Sequence, residues 1–258
     1  MLRALGVVTL QTFTLLRRDR IFWPALAAAM FIAAAAAIAS SWGTEELMKM
    51  LYDYGLLGFQ LTGSTVAIFW GVKMIGDARQ DGSMEVQLAA PVSRGLWLVG
   101  KYCGLSACLL MVSVVFVVLW EATLFVLHYR LMGPPQLLVF ALMGLGWLVD
   151  AALAVFFATL TRPSLAIFAT FAAWIAGLSS ALIDQAMTPE TPEQLRAAVS
   201  IIARYWDLQQ FNLADKALEA HLPAFAPTLD RGLYGLVLIA ILVTVASAIS
   251  SRRDVLPA

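Results

Sequence analysis

Charge is scarce in this sequence. Asp, Glu, Lys and Arg make up 13% of its 258 residues, where soluble domains carry about 25%. The 17 basic and 17 acidic residues cancel, so net charge gives no reason to expect a nucleic-acid partner. Cysteine and histidine are nearly missing, with two of each. Cys103 and Cys108 share one apolar run and sit about 140° apart on a helix, so they cannot bridge each other. They read as small hydrophobes. His128 and His221 are isolated, and no Cys/His set has the spacing of a metal cage. Neither a G-x-S-x-G elbow nor a serine–histidine pair suited to intramembrane proteolysis occurs. These absences exclude a disulfide-stapled secreted module and leave no catalytic or metal centre in view, so the chain is not expected to be an enzyme.

Apolar residues fill the space instead. They make up 61% of the chain, against about 45–50% in soluble domains, and the mean hydropathy is +0.81. Six apolar runs of 19–28 residues stand out: Ile21–Ser41, Tyr52–Ile75, Tyr102–Tyr129, Gln136–Leu160, Ser164–Ile183 and Gly232–Ser250. Each is long enough to cross a bilayer as a helix, given the ~20 residues a span needs. The first is too long for a signal h-region, and further spans follow it, so it is expected to stay uncleaved. The expectation is an all-α polytopic membrane protein with six transmembrane helices in one permease-like domain, residues 1–258.

Orientation follows from the basic residues. With the N-terminus inside, the inner side holds Arg3, Arg17, Arg18, Arg20, Lys73, Arg79, Arg94, Lys101, Arg162, Arg252 and Arg253, and the short outer loops hold only Lys49 and Arg130. Both termini are therefore expected in the cytoplasm. Residues 1–20 predict an interfacial helix, with Leu2, Leu5, Val8 or Thr9, Thr12 and Leu16 near helical spacing. Residues 76–101 form a cytoplasmic loop, and residues 185–231 an extracytoplasmic one too long for a bare connection. In the latter, Thr191-Pro192-Glu193 reads as a helix start, followed by Leu195, Ala198, Val199, Ile202 and Tyr205; Asn212 reads as a second N-cap.

One motif misleads. Gly95 to Tyr102 matches G-x-x-x-x-G-K but ends in Tyr where Ser or Thr should reach magnesium, and the intervening residues are Leu, Trp, Leu and Val. Lys101 reads better as an anchor at the inner interface and Trp97 as an interfacial ring. The mid-span carboxylates Glu121 and Asp150 matter more, because such a group costs ~2.5–3.5 kcal/mol to insert. They line a substrate or proton path, or they hydrogen-bond to neighbouring helices and hold the bundle together.

The richest segment lies between the second and third runs. Ser83 can cap a short amphipathic helix carrying Met84, Val86, Leu88 and Ala89; Pro91 ends it, and Ser93 can cap the next helix. This amounts to a stiff, partly apolar docking element tied to two spans.

Asp81-Gly82-Ser83-Met84-Glu85, an apolar run, Pro91-Val92-Ser93-Arg94 and then Gly100-Lys101 resemble the ABC-2 class of permeases, the membrane subunits of ATP-binding-cassette exporters. Members read E-x-G-T-[LM]-E, apolar run, P-[VI]-S-R and G-K, so Asp81 and Ser83 depart conservatively. A weaker likeness, in Trp206 to Leu213, is to permeases of multicopper-enzyme maturation, though their proline is missing here. The resemblance implies no cofactor on this chain. ATP and Mg would sit on a separate cytoplasmic ATPase subunit, two permease copies would pair in a bacterial inner membrane, and the 76–101 loop would be the coupling helix. Glu85 and Arg94 would then make polar contacts to the ATPase, and Met84, Val86 and Leu88 apolar ones; alternatively Arg94 binds lipid phosphate. Two other readings stay open: a proton-driven secondary carrier working through Glu121 and Asp150, and a non-transporting membrane scaffold.

Overall fold

The computed structural model describes residues 2–20, positions 24, 27, 28, 31, 32, 34, 35 and 38, and residues 47–80, 93–126, 128, 131–180, 206–213 and 225–252. Among these there is no strand. The helices are α1 (Leu2–Arg17), α2 (Leu47–Gln80), α3 (Arg94–Val126), α4 (Pro134–Leu160), α5 (Pro163–Leu178) and α6 (Phe225–Arg252), with one 3-10 turn at Gln209–Phe211. The positions described between 24 and 38, inside the first apolar run, are also helical. Four helices, α2, α3, α4 and α6, are long and apolar enough to cross a membrane. The α5 helix has only 16 residues, about 24 Å at ~1.5 Å per residue, short of a ~30 Å hydrocarbon core.

Local chemistry sets the ends. The Ser93 Oγ accepts the backbone N–H of Leu96 at 3.3 Å, so Ser93 caps α3. That cap starts the helix at Arg94, eight residues before the apolar run opens at Tyr102. Pro163 stops α4 and opens α5 at its first turn, where a missing N–H costs nothing. The α2 helix continues past Ile75 to Gln80. Residues 76–80 and 94–101 are thus helical, and only 81–92 remain between α2 and α3, outside the described residues.

The core lies between α2 and α4, which share the most extensive interface. Their most apolar stretches are 72% and 78% buried, against 39% for α3 and 22% for α6, so α2 and α4 form the centre and the other two the rim. Small residues set the approach. A Cβ at Gly71 would meet Ala154 Cβ at 2.7 Å and the Ala151 carbonyl oxygen at 3.2 Å. The Trp147 indole covers Gly63, Trp120 covers Gly55, and Ile32 covers Gly58. Gly55, Gly58 and Gly63 are therefore occupied within the chain. Phe59 fixes this layer, with ring centroids 4.1 Å from Trp147, 4.8 Å from Phe116 and 5.0 Å from Phe140.

The α1 helix packs along α3. Val8, Thr12 and Leu16, from its expected apolar face, are buried, with Val8 seated at Gly100 and Thr12 at Gly104. The Thr9 hydroxyl donates to the Gly100 carbonyl at 3.3 Å. Its other face, Val7, Leu10 and Leu15, is exposed and apolar, as suits a helix at the edge of a bilayer.

Residues 206–213 turn back into the bundle at the end of α5. Phe211 packs on Gly146, which lies about 18 Å along α4 from Pro134, and on Gly235 of α6. Irregular backbone at membrane depth survives only where protein satisfies it. Here Leu208 N–H donates to the Gly177 carbonyl at 3.2 Å, Trp206 Nε1 to the Ala173 carbonyl at 2.8 Å, and the Ser180 hydroxyl to Asp207 Oδ1 at 3.1 Å. The expected fifth span, Ser164–Ile183, is thus shorter than its apolar run as a continuous helix. Asn212 ends the 3-10 turn, its N–H donating to the Gln209 carbonyl at 2.8 Å. The residues that it was expected to cap, and the expected helix start at Thr191, lie outside the described residues.

If Gly71 holds α2 against α4, Gly71→Leu overpacks the seam by about 1–3 kcal/mol. At about 2–4 °C per kcal/mol it lowers the melting midpoint of the detergent-solubilised protein by several degrees. Gly232→Ala, at a position with nothing within 4 Å, leaves the midpoint unchanged or slightly raised.

Candidate functional site

Of the twelve side chains the sequence singled out, Asp81, Gly82, Ser83, Met84, Glu85, Val86, Leu88 and Pro91 fall in 81–92, outside the described residues. What the structure gives there is the frame around them. Ser93 caps α3 and Arg94 is half-buried in its first turn. Opposite, Arg79 near the end of α2 donates to the carbonyls of Ala158 at 2.8 Å and Thr159 at 3.4 Å. A guanidinium on the last carbonyls of α4 satisfies acceptors that have no helical partner and complements the helix dipole. The α2 end of the 81–92 connection is therefore tied to the α4 end.

Asp150 sits deep in the bundle, 1% exposed. The Ser64 hydroxyl faces its carboxyl, and Gln60 Nε2 donates to Ser64 Oγ at 3.2 Å. Gln60, Ser64 and Asp150 are all buried, and they line up across the α2–α4 seam directly beside the Trp147 and Phe59 rings. Among the described residues, Asp150 Oδ2 and Gln60 Oε1 have no hydrogen-bond partner. The cluster can thus accept hydrogen bonds in a place where water is scarce, and an unmet acceptor there is expensive.

Glu121 is not part of this cluster. It lies toward the far end of α3, where its Oε1 accepts the Met132 backbone N–H at 3.1 Å and ties α3 to the turn leading into α4; its Oε2 is buried and has no partner among the described residues. Asp150 is some 24 Å further along α4 from Pro134 at ~1.5 Å per residue. The two carboxylates that the sequence paired as a proton route are not brought together.

The P-loop-like stretch is plain α3 helix from Arg94 onward, not a loop that wraps phosphate: Ser93 takes the Leu96 and Trp97 N–H groups, and the helix takes those that follow. Lys101, expected as an anchor at the inner interface, is enclosed by the bundle. It is 6% exposed, with its ammonium 5.4 Å from the Trp97 ring centroid. Among the described residues no group of three His, Cys, Asp or Glu side chains could hold a metal ion. Cys103 and Cys108 are free thiols, half-buried and buried.

Sequence reasoning passed over Gln60 and Ser64, although two polar residues four apart in an apolar run share one helix face, with Gly63 beside them. It also missed that 206–213 enters the bundle. There the signal was a Trp–Phe pair framing Asp207, Gln209 and Gln210. Neither a family model nor a curated protein matches the chain.

The cluster makes a testable claim about coupling. Ser64→Ala strands the Asp150 carboxyl and costs about 1 kcal/mol. Adding Asp150→Leu to that variant recovers most of the loss. Thermal unfolding of the two single variants and the double variant reads the coupling, and strictly additive losses contradict it.

Proposed function

We propose that this chain is the permease subunit of an ABC-2 type transporter, with six spans and both termini in the cytoplasm of a bacterial cell. In this reading it pairs with a second copy of itself in the inner membrane and exports cargo along the route between the copies. The energy comes from ATP and Mg bound by a separate cytoplasmic ATPase. The observation that carries the reading is mechanical. The α2 and α3 helices, of 34 and 33 residues, run unbroken to the two ends of the stretch that holds the Gly-Ser-Met-Glu and Pro-Val-Ser-Arg sequences. At ~1.5 Å per residue each is about 50 Å long, well beyond the hydrocarbon core. A push on residues 81–92 therefore reaches the bundle through stiff rods.

The push also reaches the centre. Arg79 couples the α2 end to the α4 end, and Gly71 and Gly63 couple the two helices along their length. Closure of an ATPase pair on ATP then shifts the α2–α4 seam, and the Gln60–Ser64–Asp150 cluster with it, between two packed arrangements. Glu85 and Arg94 supply polar contacts to the ATPase, and Met84, Val86 and Leu88 the apolar ones. Exposed apolar side chains on α3 and α6, such as Val114, Val118, Leu236 and Ile241, meet lipid or the second copy.

A proton-driven carrier draws support from the unpartnered Asp150 Oδ2, but its relay has to bridge the separation from Glu121. The ATPase reading needs no such bridge.

Purification together with the ATPase encoded beside this chain separates the two. The wild type is expected to hold the ATPase and to support vanadate-sensitive hydrolysis. Glu85→Lys with Arg94→Glu is expected to lose both while melting like the wild type. Transport that persists without any ATPase and collapses with the proton gradient contradicts the proposal.

A further inference from the structure

A cavity of about 220 Å³ opens between α1, α2 and α3 at the end of the bundle nearest residues 81–92. Four of its lining side chains are charged: Asp19, Lys73, Asp77 and Lys101. Two of them satisfy each other, with Lys73 Nζ 2.7 Å from Asp19 Oδ2. The other two do not. Lys101 and Asp77 act on each other electrostatically, yet among the described residues neither makes a hydrogen bond or ion pair. Lys101 is more than nine-tenths buried, and the Trp97 face is its one described partner. A buried ammonium whose one described partner is a ring face is costly, whereas Asp77 is exposed at the rim, where its carboxylate is open to a ligand.

One class of ligand completes both groups at once: a small zwitterion with an anionic oxygen cluster for Lys101 and a hydrogen-bonding ammonium for Asp77. At about 220 Å³ the cavity has room for a phosphoethanolamine group of about eight heavy atoms. The rim indicates where such a group comes from. Leu15 lines the cavity and is also 62% exposed, on the same bare apolar face of α1 as Leu10 and Val7. The mouth therefore opens beside an apolar flank on which acyl chains can lie.

We infer that this cavity is a site for a zwitterionic aminophospholipid headgroup, with the phosphate on Lys101 and the primary ammonium on Asp77. The inference does not depend on the transport reading. With the headgroup in place, α1, α2 and α3 are pinned together at the end that carries residues 81–92.

The test uses the full-length protein, stripped in detergent and given back phosphatidylethanolamine, phosphatidylcholine or phosphatidylglycerol, with retained lipid read by native mass spectrometry. Phosphatidylethanolamine is expected to be held about tenfold more tightly than either other lipid, a difference of about 1.4 kcal/mol. Phosphatidylcholine has no N–H for Asp77, and phosphatidylglycerol has no cation. Asp77→Asn is expected to abolish the preference, and Lys101→Met to weaken retention of all three lipids. Soluble phosphoethanolamine separates the sources: failure to displace the lipid assigns the site to the membrane, and displacement at equal concentration assigns it to a free zwitterion of the same chemistry. Equal retention of phosphatidylglycerol makes it a plain anion site and overturns the inference. So does equal retention of all three lipids by the wild type, a result that holds even if a variant fails to fold.

Discussion

A helix bundle in an apolar solvent gains nothing from moving its side chains away from lipid, so it must hold together by close packing. In this chain that requirement falls on the glycines of α2. Trp120, Ile32, Trp147, Ala154 and Pro163 each occupy the space where a Cβ at Gly55, Gly58, Gly63, Gly71 or Gly76 would stand. Through these seats α2 touches the helical residues near position 32, α3, α4 and the turn into α5. Indole rings laid on bare backbone gain many dispersion contacts at short range. Every other feature of the bundle is placed relative to this spine.

The polar cluster follows from it. Gly63 lets Trp147 lie flat against α2, and Asp150, one turn further along α4, comes into line with Ser64 and Gln60. The same rigidity links the cluster to the end of α2: from Ser64 to Gln80 is about 24 Å of uninterrupted helix, ending where Arg79 grips α4. A displacement of the 81–92 stretch can hardly be absorbed locally, since packed interfaces prefer discrete arrangements to gradual bending. By contrast, α6 buries little of its surface, and α5 leaves part of the bundle to be completed by residues 206–213.

Much of the architecture was legible in the sequence, because a 20-residue apolar run has few fates. The spans of α2, α3, α4 and α6 follow their hydropathy, and the Ser93 cap and the Pro163 break follow from side-chain chemistry. The α1 face of Val8, Thr12 and Leu16 followed from its periodicity, although nothing local showed that Gly100 and Gly104 would receive it. Partnership between distant residues was the hidden part. Glu121 and Asp150 look alike in sequence, yet one anchors a turn and the other sits in the central seam. Lys101 reads as an interfacial anchor from its position at the start of an apolar run, and only the arrival of α1 encloses it. The inward path of 206–213 depends on Gly146, Gly177 and Gly235, which lie on three separate helices.

In the proposed function, residues 81–92 dock on an ATPase and drive the α2–α4 seam. The most direct test is cross-linking from a single cysteine at Gln87, with Cys103 and Cys108 replaced by Ala, in membranes that also contain the ATPase encoded beside this chain. An adduct between the two chains is expected, with a yield that changes when ATP is trapped on the ATPase. A cysteine at Gln87 that labels freely with a water-soluble maleimide, equally with and without the ATPase, and never joins it overturns the proposed docking.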